Sequence, residues 1–219
     1  MAERSLAKRA WYVGLRAACR TMGLAAWGLR VWGREHIPVA GAALVLGNHQ
    51  SHFDSVLLGL GCDRRMNYVA RQNLFRFAPF RWLIQSLDAI PIDREGTGLA
   101  GLKETLRRLK RGEIVLLFPE GTRTPDGRMH SFKPGFCGVA RRGGAAIVPA
   151  AVAGAFEAWP RSARLPRRDV IYVAYGPAMS PAEIATFDDD ALVAEVERRV
   201  RRLHDWLCRQ RARVRESTV

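Results

Sequence analysis

Residues 42–60 read AALVLGNHQSHFDSVLLGL. The run Ala42–Gly47 is apolar and lacks strict alternation, as a strand covered on both faces does. A polar turn, Asn48–Asp54, leads from it into a second apolar stretch, Ser55–Leu60. Asn48, Ser51 and Asp54 are each suited to capping a helix N-terminus. Strand, polar turn and helix in that order point to an α/β protein.

Further apolar, β-rich runs lie at Asn67–Ala70, Ala89–Asp93, Glu113–Phe118, Ala145–Ala153 and Val170–Tyr175. Helical patterns separate them; Leu99, Leu102, Leu106 and Leu109 form one apolar stripe. The expected architecture is α/β, with a mixed, largely parallel sheet flanked by helices over residues 35–219. A long helix with Leu192, Val196, Val200, Leu203 and Leu207 on one face closes the chain.

Residues 1–34 form a separate block. Trp11, Leu15, Ala18, Met22, Ala25 and Leu29 recur at helical spacing, with Arg9, Arg16 and Arg20 on another face. Gly23 or Gly28 could break the block into two helices. Tryptophan beside arginine on an amphipathic stretch suits the headgroup region of a membrane, although an ordinary first helix packed on the core has the same spacing. No apolar run reaches the roughly 18 residues needed to cross a bilayer. Arg16, Arg20 and Arg30 interrupt what could otherwise resemble a cleavable signal.

The 219 residues carry 35 Lys and Arg against 21 Asp and Glu, a formal charge of +14. This balance calls for an anionic partner, whether nucleic acid, phospholipid or a phosphorylated substrate. Eight arginines fall between Arg198 and Arg215, either as a solvated helix face or as a second contact with anionic lipid. The four cysteines form no C-x-x-C pair, so reduced thiols in a cytosol-facing protein are the simpler expectation.

Two constellations carry chemistry. His49 and Asp54 are five residues apart on the strand-to-helix turn, a spacing that lets the carboxylate fold back onto one ring nitrogen. The other nitrogen is then a general base near neutral pH. A satisfied histidine beside a capping Asp has the same spacing, and His49, His52 and Asp54 could alternatively hold a metal. The second constellation is FPEGTR, Phe118–Arg123, after the run 113–118. Gly121 permits a turn with positive φ. Backbone N–H groups, the Thr122 hydroxyl and the Arg123 guanidinium would form a phosphate cradle. Glu120 would repel phosphate, so it is expected to hold Arg123 or another cation, or to accept from a substrate hydroxyl. Arg94, ending IDR, and Lys133, within FKPG, offer further cations. IVPAAVAG, residues 147–154, reads as an apolar core or edge strand that could line an acyl groove.

NHQSHFD, IDR, FPEGTR and VPAAVAG, in this order and at these separations, resemble the four blocks of the glycerolipid acyltransferases. Among these the bacterial 1-acyl-glycerol-3-phosphate acyltransferases are the most similar. The resemblance covers about half of the chain. It implies that His49 is the base and Asp54 its orienting carboxylate. It implies that Arg94, Glu120, Gly121, Thr122, Arg123 and Lys133 bind the acceptor. Thr124 and Pro125 stand where many members have Ser after FPEGTR, which keeps a hydroxyl. The implied reaction moves an acyl group from acyl-CoA or acyl carrier protein, as co-substrate, to a lysophospholipid. It uses no metal, no cofactor and no covalent acyl-enzyme. An anionic membrane surface, contacted peripherally from the cytoplasmic face, would be the partner. Acylation of another lysolipid, such as lyso-ornithine lipid, would use the same machinery. A non-catalytic basic module is the rival from another class; no nucleic-acid signature such as an aromatic RNP string or zinc finger supports it.

Overall fold

The structure is a computed structural model that describes residues 6–71, 90–92 and 99–216. Helix α1 (Leu6–Trp27) leads into β1 (Arg30–Trp32), a 3-10 turn (Arg34–His36), β2 (Ala43–Gly47), α2 (Asp54–Gly61) and β3 (Met66–Arg71). Then come β4 (Ile90–Ile92), α3 (Leu99–Leu109), β5 (Ile114–Leu117), α4 (Gly135–Gly143), β6 (Ala146–Ala153) and α5 (Ala155–Ala158). The last elements are β7 (Tyr172–Tyr175), α6 (Pro181–Ala185) and α7 (Asp189–Glu216).

The strands make one seven-stranded sheet in the order β1-β7-β6-β2-β5-β3-β4. Every neighbouring pair is parallel except β6 with β7. The mixed, largely parallel α/β fold expected from the sequence is therefore present. Side chains alternate strictly between two cores. Leu44, Leu46, Val115, Ile147 and Ala151 face α4 and α7 on one side. Ala43, Val45, Ile114, Leu116 and Val148 face α2 on the other. Both faces are covered, which is why the strand sequences read as continuous apolar runs. The stripe of α7 packs as expected, with Leu192, Val196, Val200 and Leu207 fully buried.

The topology puts a crevice at one point. β2 connects through α2 to β3, beyond β5, whereas β5 connects through α4 to β6, beyond β2. Adjacent strands whose crossovers leave in opposite directions open a gap outside their carboxyl ends. Those ends lie level, because Leu46 is in register with Leu117. His49 and Glu120 follow them directly.

One expectation needs correction and one alternative is decided. The N-terminal block, expected to be helical over residues 1–34, is not helical throughout its described part, residues 6–34. One helix ends at Trp27, Gly28 takes φ +50, and Arg30–Trp32 then pairs with β7 as an edge strand. Trp32 is used there, edge-on to Tyr172 and Trp206. Pro149 lies in an interior strand, buried between β2 and β7. This is the core alternative of the sequence reading, and Gly176 donates its N–H to the Pro149 carbonyl.

Only one side of α1 rests on the domain. Arg16 donates to the Asp63 carboxylate, and Gly23 approaches Leu29 and Leu60. Leu6, Trp11, Val13, Met22 and Leu24 are exposed on the outer side. Among the described residues no helix is long and apolar enough to cross a membrane.

Candidate active site

The site grows from the end of β2. Asn48 is fully buried and extends the sheet with its side chain: its amide donates to the Val152 carbonyl and its oxygen accepts from the Val152 N–H. This anchor turns the chain sharply, so that His49 leaves the sheet beside the end of β5. The His49 ring stacks on Phe118, with centroids 3.9 Å apart and planes inclined by 8°.

Asp54 opens α2 and is fully buried. Its Oδ2 lies 2.8 Å from His49 Nδ1 and also accepts from the N–H groups of Gln50 at 2.6 Å and Ser51 at 2.7 Å. Asp54 therefore does not cap α2 from outside, as one reading of the sequence had it. Instead it gathers the whole turn onto one oxygen. A carboxylate can only accept, so the short contact assigns the hydrogen to Nδ1 and leaves a lone pair on Nε2. The ring is 19% exposed. These are the requirements of an oriented general base.

The β5 turn is built around the same histidine. Glu120, 3% exposed, accepts from the His49 N–H at 2.7 Å and from the His130 N–H at 2.9 Å. Thr124 donates its N–H to the His49 carbonyl at 2.9 Å. Among the described residues Glu120 thus holds neither Arg123 nor another cation; it staples two loops together through backbone N–H groups. Burial pushes its pKa up, and the two N–H donors pull against that shift.

Gly121 takes φ +78, and a Cβ there would lie 3.3 Å from Lys133 Nζ. The Lys133 side chain therefore lies over the FPEGTR turn, secured by its own N–H to the Pro119 carbonyl at 3.0 Å. Thr122 is exposed on the same turn. Arg123 reaches the His52 imidazole Nε2, so His52 is held as an acceptor. Burial first, and then the Arg123 charge, lower the His52 pKa. Arg94 lies outside the described residues. Of the other expected site residues, His49, Asp54, Glu120, Gly121, Thr122, Arg123 and Lys133 share one end of the sheet.

The metal alternative finds no support in the geometry. His52 Nε2 faces a guanidinium, and Asp54 Oδ2 is ringed by N–H donors. Among the described residues no three His, Cys, Asp or Glu side chains gather to hold an ion.

Several contributors escaped the sequence reading. Phe118 is the stacking partner of the base, and Trp159 accepts from the Ser51 hydroxyl at 2.7 Å through its carbonyl. Gln50 donates from Nε2 to the Gly127 carbonyl, and the same nitrogen lies 3.1 Å from His204 Nε2 on α7. Phe118 begins a motif already singled out, so its position was a signal. Trp159 and His204 lie more than 100 residues from their partners and carried none.

Comparison with known proteins agrees with this geometry. The family model described as Acyltransferase matches residues 28–153. A 1-acyl-sn-glycerol-3-phosphate acyltransferase of Bacillus subtilis is 33% identical over 128 residues, 58% of this chain and 63% of that protein. One from Pseudomonas aeruginosa is 35% identical over 153 residues, 68% of this chain and 58% of its own length. The match thus spans about 60% of each of these two curated relatives. The crystal structure of the 1-acyl-sn-glycerophosphate (LPA) acyltransferase PlsC from Thermotoga maritima superposes with a TM-score of 0.78 at 26% identity. That likeness covers 92% of this chain and 81% of the other. With a family model matched over more than half its length, and the His49 turn and the FPEGTR turn meeting at one end of the sheet, the chain belongs to the acyltransferase family.

Proposed function

We propose that the protein transfers a fatty acyl group from an acyl thioester to the free sn-2 hydroxyl of 1-acyl-glycerol-3-phosphate, giving phosphatidate. The observation that carries this reading is the 2.8 Å contact between His49 Nδ1 and buried Asp54, beside a turn that bears Arg123 and is overlain by Lys133. His49 Nε2 takes the acceptor hydroxyl proton while Asp54 holds Nδ1–H. The acceptor oxygen bonds to the thioester carbonyl carbon, and a tetrahedral oxyanion forms. The C–S bond then breaks, and the thiolate leaves with the proton from Nε2. The acyl group passes directly to the acceptor, without an acyl-enzyme or a metal. Arg123 and Lys133 bind the acceptor phosphate, for which guanidinium and ammonium groups are suited. Arg94 joins them, and the Thr122 hydroxyl lies at the mouth. Glu120 acts through His49 rather than on the substrate.

The donor is acyl-CoA or acyl carrier protein, both anionic. The exposed apolar side of α1 docks peripherally on the lipid surface that holds the acceptor. Purified protein incubated with lysophosphatidate and acyl thioesters should release thiol and form diacyl product. His49→Ala should lower kcat by at least about 100-fold. Equal turnover by that variant would remove His49 as the base. Turnover of lyso-ornithine lipid but not lysophosphatidate would move the acceptor assignment.

A further inference from the structure

The segment after α5, PRSARLPRRD at residues 160–169, has no part in the chemistry above. It carries four arginines and one acid. Arg161, Arg164, Arg167 and Arg168 are exposed, and Leu165 between them is 77% exposed. The acid, Asp169, is engaged by Arg211 of α7 at 2.9 Å. Among the described residues none of the four arginines has an ion-pair partner. The arginines of α7 differ in this respect. Arg198 and Arg199 pair with Glu195, Arg199 also with Glu183, and Arg201 with Glu197. The terminal helix thus neutralises much of its own charge, whereas the 160–169 loop does not.

The loop is held in shape. Trp159 Nε1 donates to the Ala163 carbonyl at 3.0 Å, and the Arg167 N–H donates to the Ala158 carbonyl at 2.7 Å. Trp27 of α1 donates from its indole to the Arg167 carbonyl at 2.8 Å. The loop also adjoins the site. Trp159 packs edge-on to Phe53 with centroids 4.7 Å apart, lies 5.0 Å from the His52 ring, and takes the Ser51 hydroxyl on its carbonyl. Trp27 meets the same Phe53 at 4.9 Å. One aromatic cluster therefore joins α1, the basic loop and the catalytic turn.

We propose that residues 160–168 are a second docking element for an anionic phospholipid surface. The arginines meet lipid phosphates and Leu165 enters the headgroup layer. A single helix lying on a bilayer leaves the domain free to roll about the helix axis. A second contact, tied to that helix through Trp27, fixes the roll and turns the His49 mouth toward the lipid. Unpaired cations around an exposed leucine, next to a helix with an exposed apolar side, favour lipid over an acidic protein partner. The choice of lipid rests on the function proposed above.

The test compares wild type with a loop variant in which Arg161, Arg164, Arg167 and Arg168 are all Gln. A control variant makes the same charge change at exposed Arg142, Arg202, Arg209 and Arg213. Each is sedimented with phosphatidylcholine vesicles with and without phosphatidylglycerol, and each is assayed on a short-chain, monomeric lysolipid. The loop variant should bind phosphatidylglycerol vesicles at least about tenfold more weakly than wild type. The control should lose much less, and all three should turn over the dispersed substrate equally. Leu165→Asp should weaken binding by itself. Equal losses in loop variant and control would reduce the effect to net charge and overturn the proposal, as would unchanged vesicle binding. Unchanged vesicle binding with selective loss of acyl carrier protein as donor would assign the loop to an acidic protein. Absence of turnover in wild type itself would sink the acyl-transfer reading and leave the binding result to be judged separately.

Discussion

The Glu120 carboxyl accepts from two backbone N–H groups, one of them that of the residue proposed as the base. Its pKa is raised by burial. It thus contributes stability in its protonated form below the ordinary 4.5, and that contribution is lost as pH rises through the raised folded value. Glu120→Gln removes the ionisation but turns one acceptor into a donor aimed at an N–H. The variant should be destabilised by about 1–3 kcal/mol, and kcat should fall because His49 shifts. KM for the lysolipid should hold; a rise in KM with kcat intact would return Glu120 to substrate binding. His52 and His204 have the opposite dependence. Burial lowers both pKa values, so the folded state disfavours their protonation. Stability should be full above the ordinary 6.5 and fall as pH drops from there through the lowered folded values. His204 is packed near Asp205, Glu157, Arg211, Arg201 and Cys208 and touches Gln50 of the His49–Asp54 turn. His204→Gln should flatten the melting temperature against pH below the ordinary 6.5; an unchanged slope would assign that dependence elsewhere.

At the scale of the element, α2 sets the position of Asp54, and two glycines let it approach the sheet. A Cβ on Gly61 would lie 2.5 Å from the Tyr175 hydroxyl, which itself donates to the Leu58 carbonyl. Gly59 faces the Tyr68 hydroxyl still more closely. Tyr175 is fully buried and Tyr68 half-buried, and burial raises both pKa values well above 10. Such a contact cannot swing aside. Gly61→Ala should therefore cost about 1–3 kcal/mol and lift the N-terminal end of α2 away from His49. Denaturant melts would measure the first effect and kcat the second. A stable variant with reduced kcat would separate positioning of the dyad from folding of the helix. A variant unaffected in both would mean that the sheet yields here.

For the whole molecule, an excess charge of +14 supplies a long-range pull toward anionic surfaces and ligands. Orientation must come from local features. The outer side of α1 presents Leu6, Val13 and Leu24, none of which supports the core. Changing these three to Glu should abolish most vesicle binding while leaving stability within about 0.5 kcal/mol of wild type. Sedimentation and a melt of the same sample would check both halves, and undiminished sedimentation would remove α1 from the interface.

Much was legible before any coordinates. The apolar runs become strands because both faces of the sheet are covered, and the stripe of α7 packs as its spacing requires. The short separation of His49 and Asp54 leaves the turn few ways to close other than onto one carboxylate oxygen. These are local or periodic facts, encoded in adjacent residues. What only the tertiary structure decided depends on residues far apart in the chain. Arg30–Trp32 is a strand because β7 offers it an open edge, not because three residues favour extension. Glu120 is a staple because the ends of β2 and β5 come level, which brings two backbone N–H groups onto a carboxyl that the sequence reading gave to a cation or to a substrate hydroxyl. Trp159 and His204 enter the site for the same reason: the sheet and α7 bring distant side chains against the His49–Asp54 turn, and periodicity within one segment cannot encode that meeting.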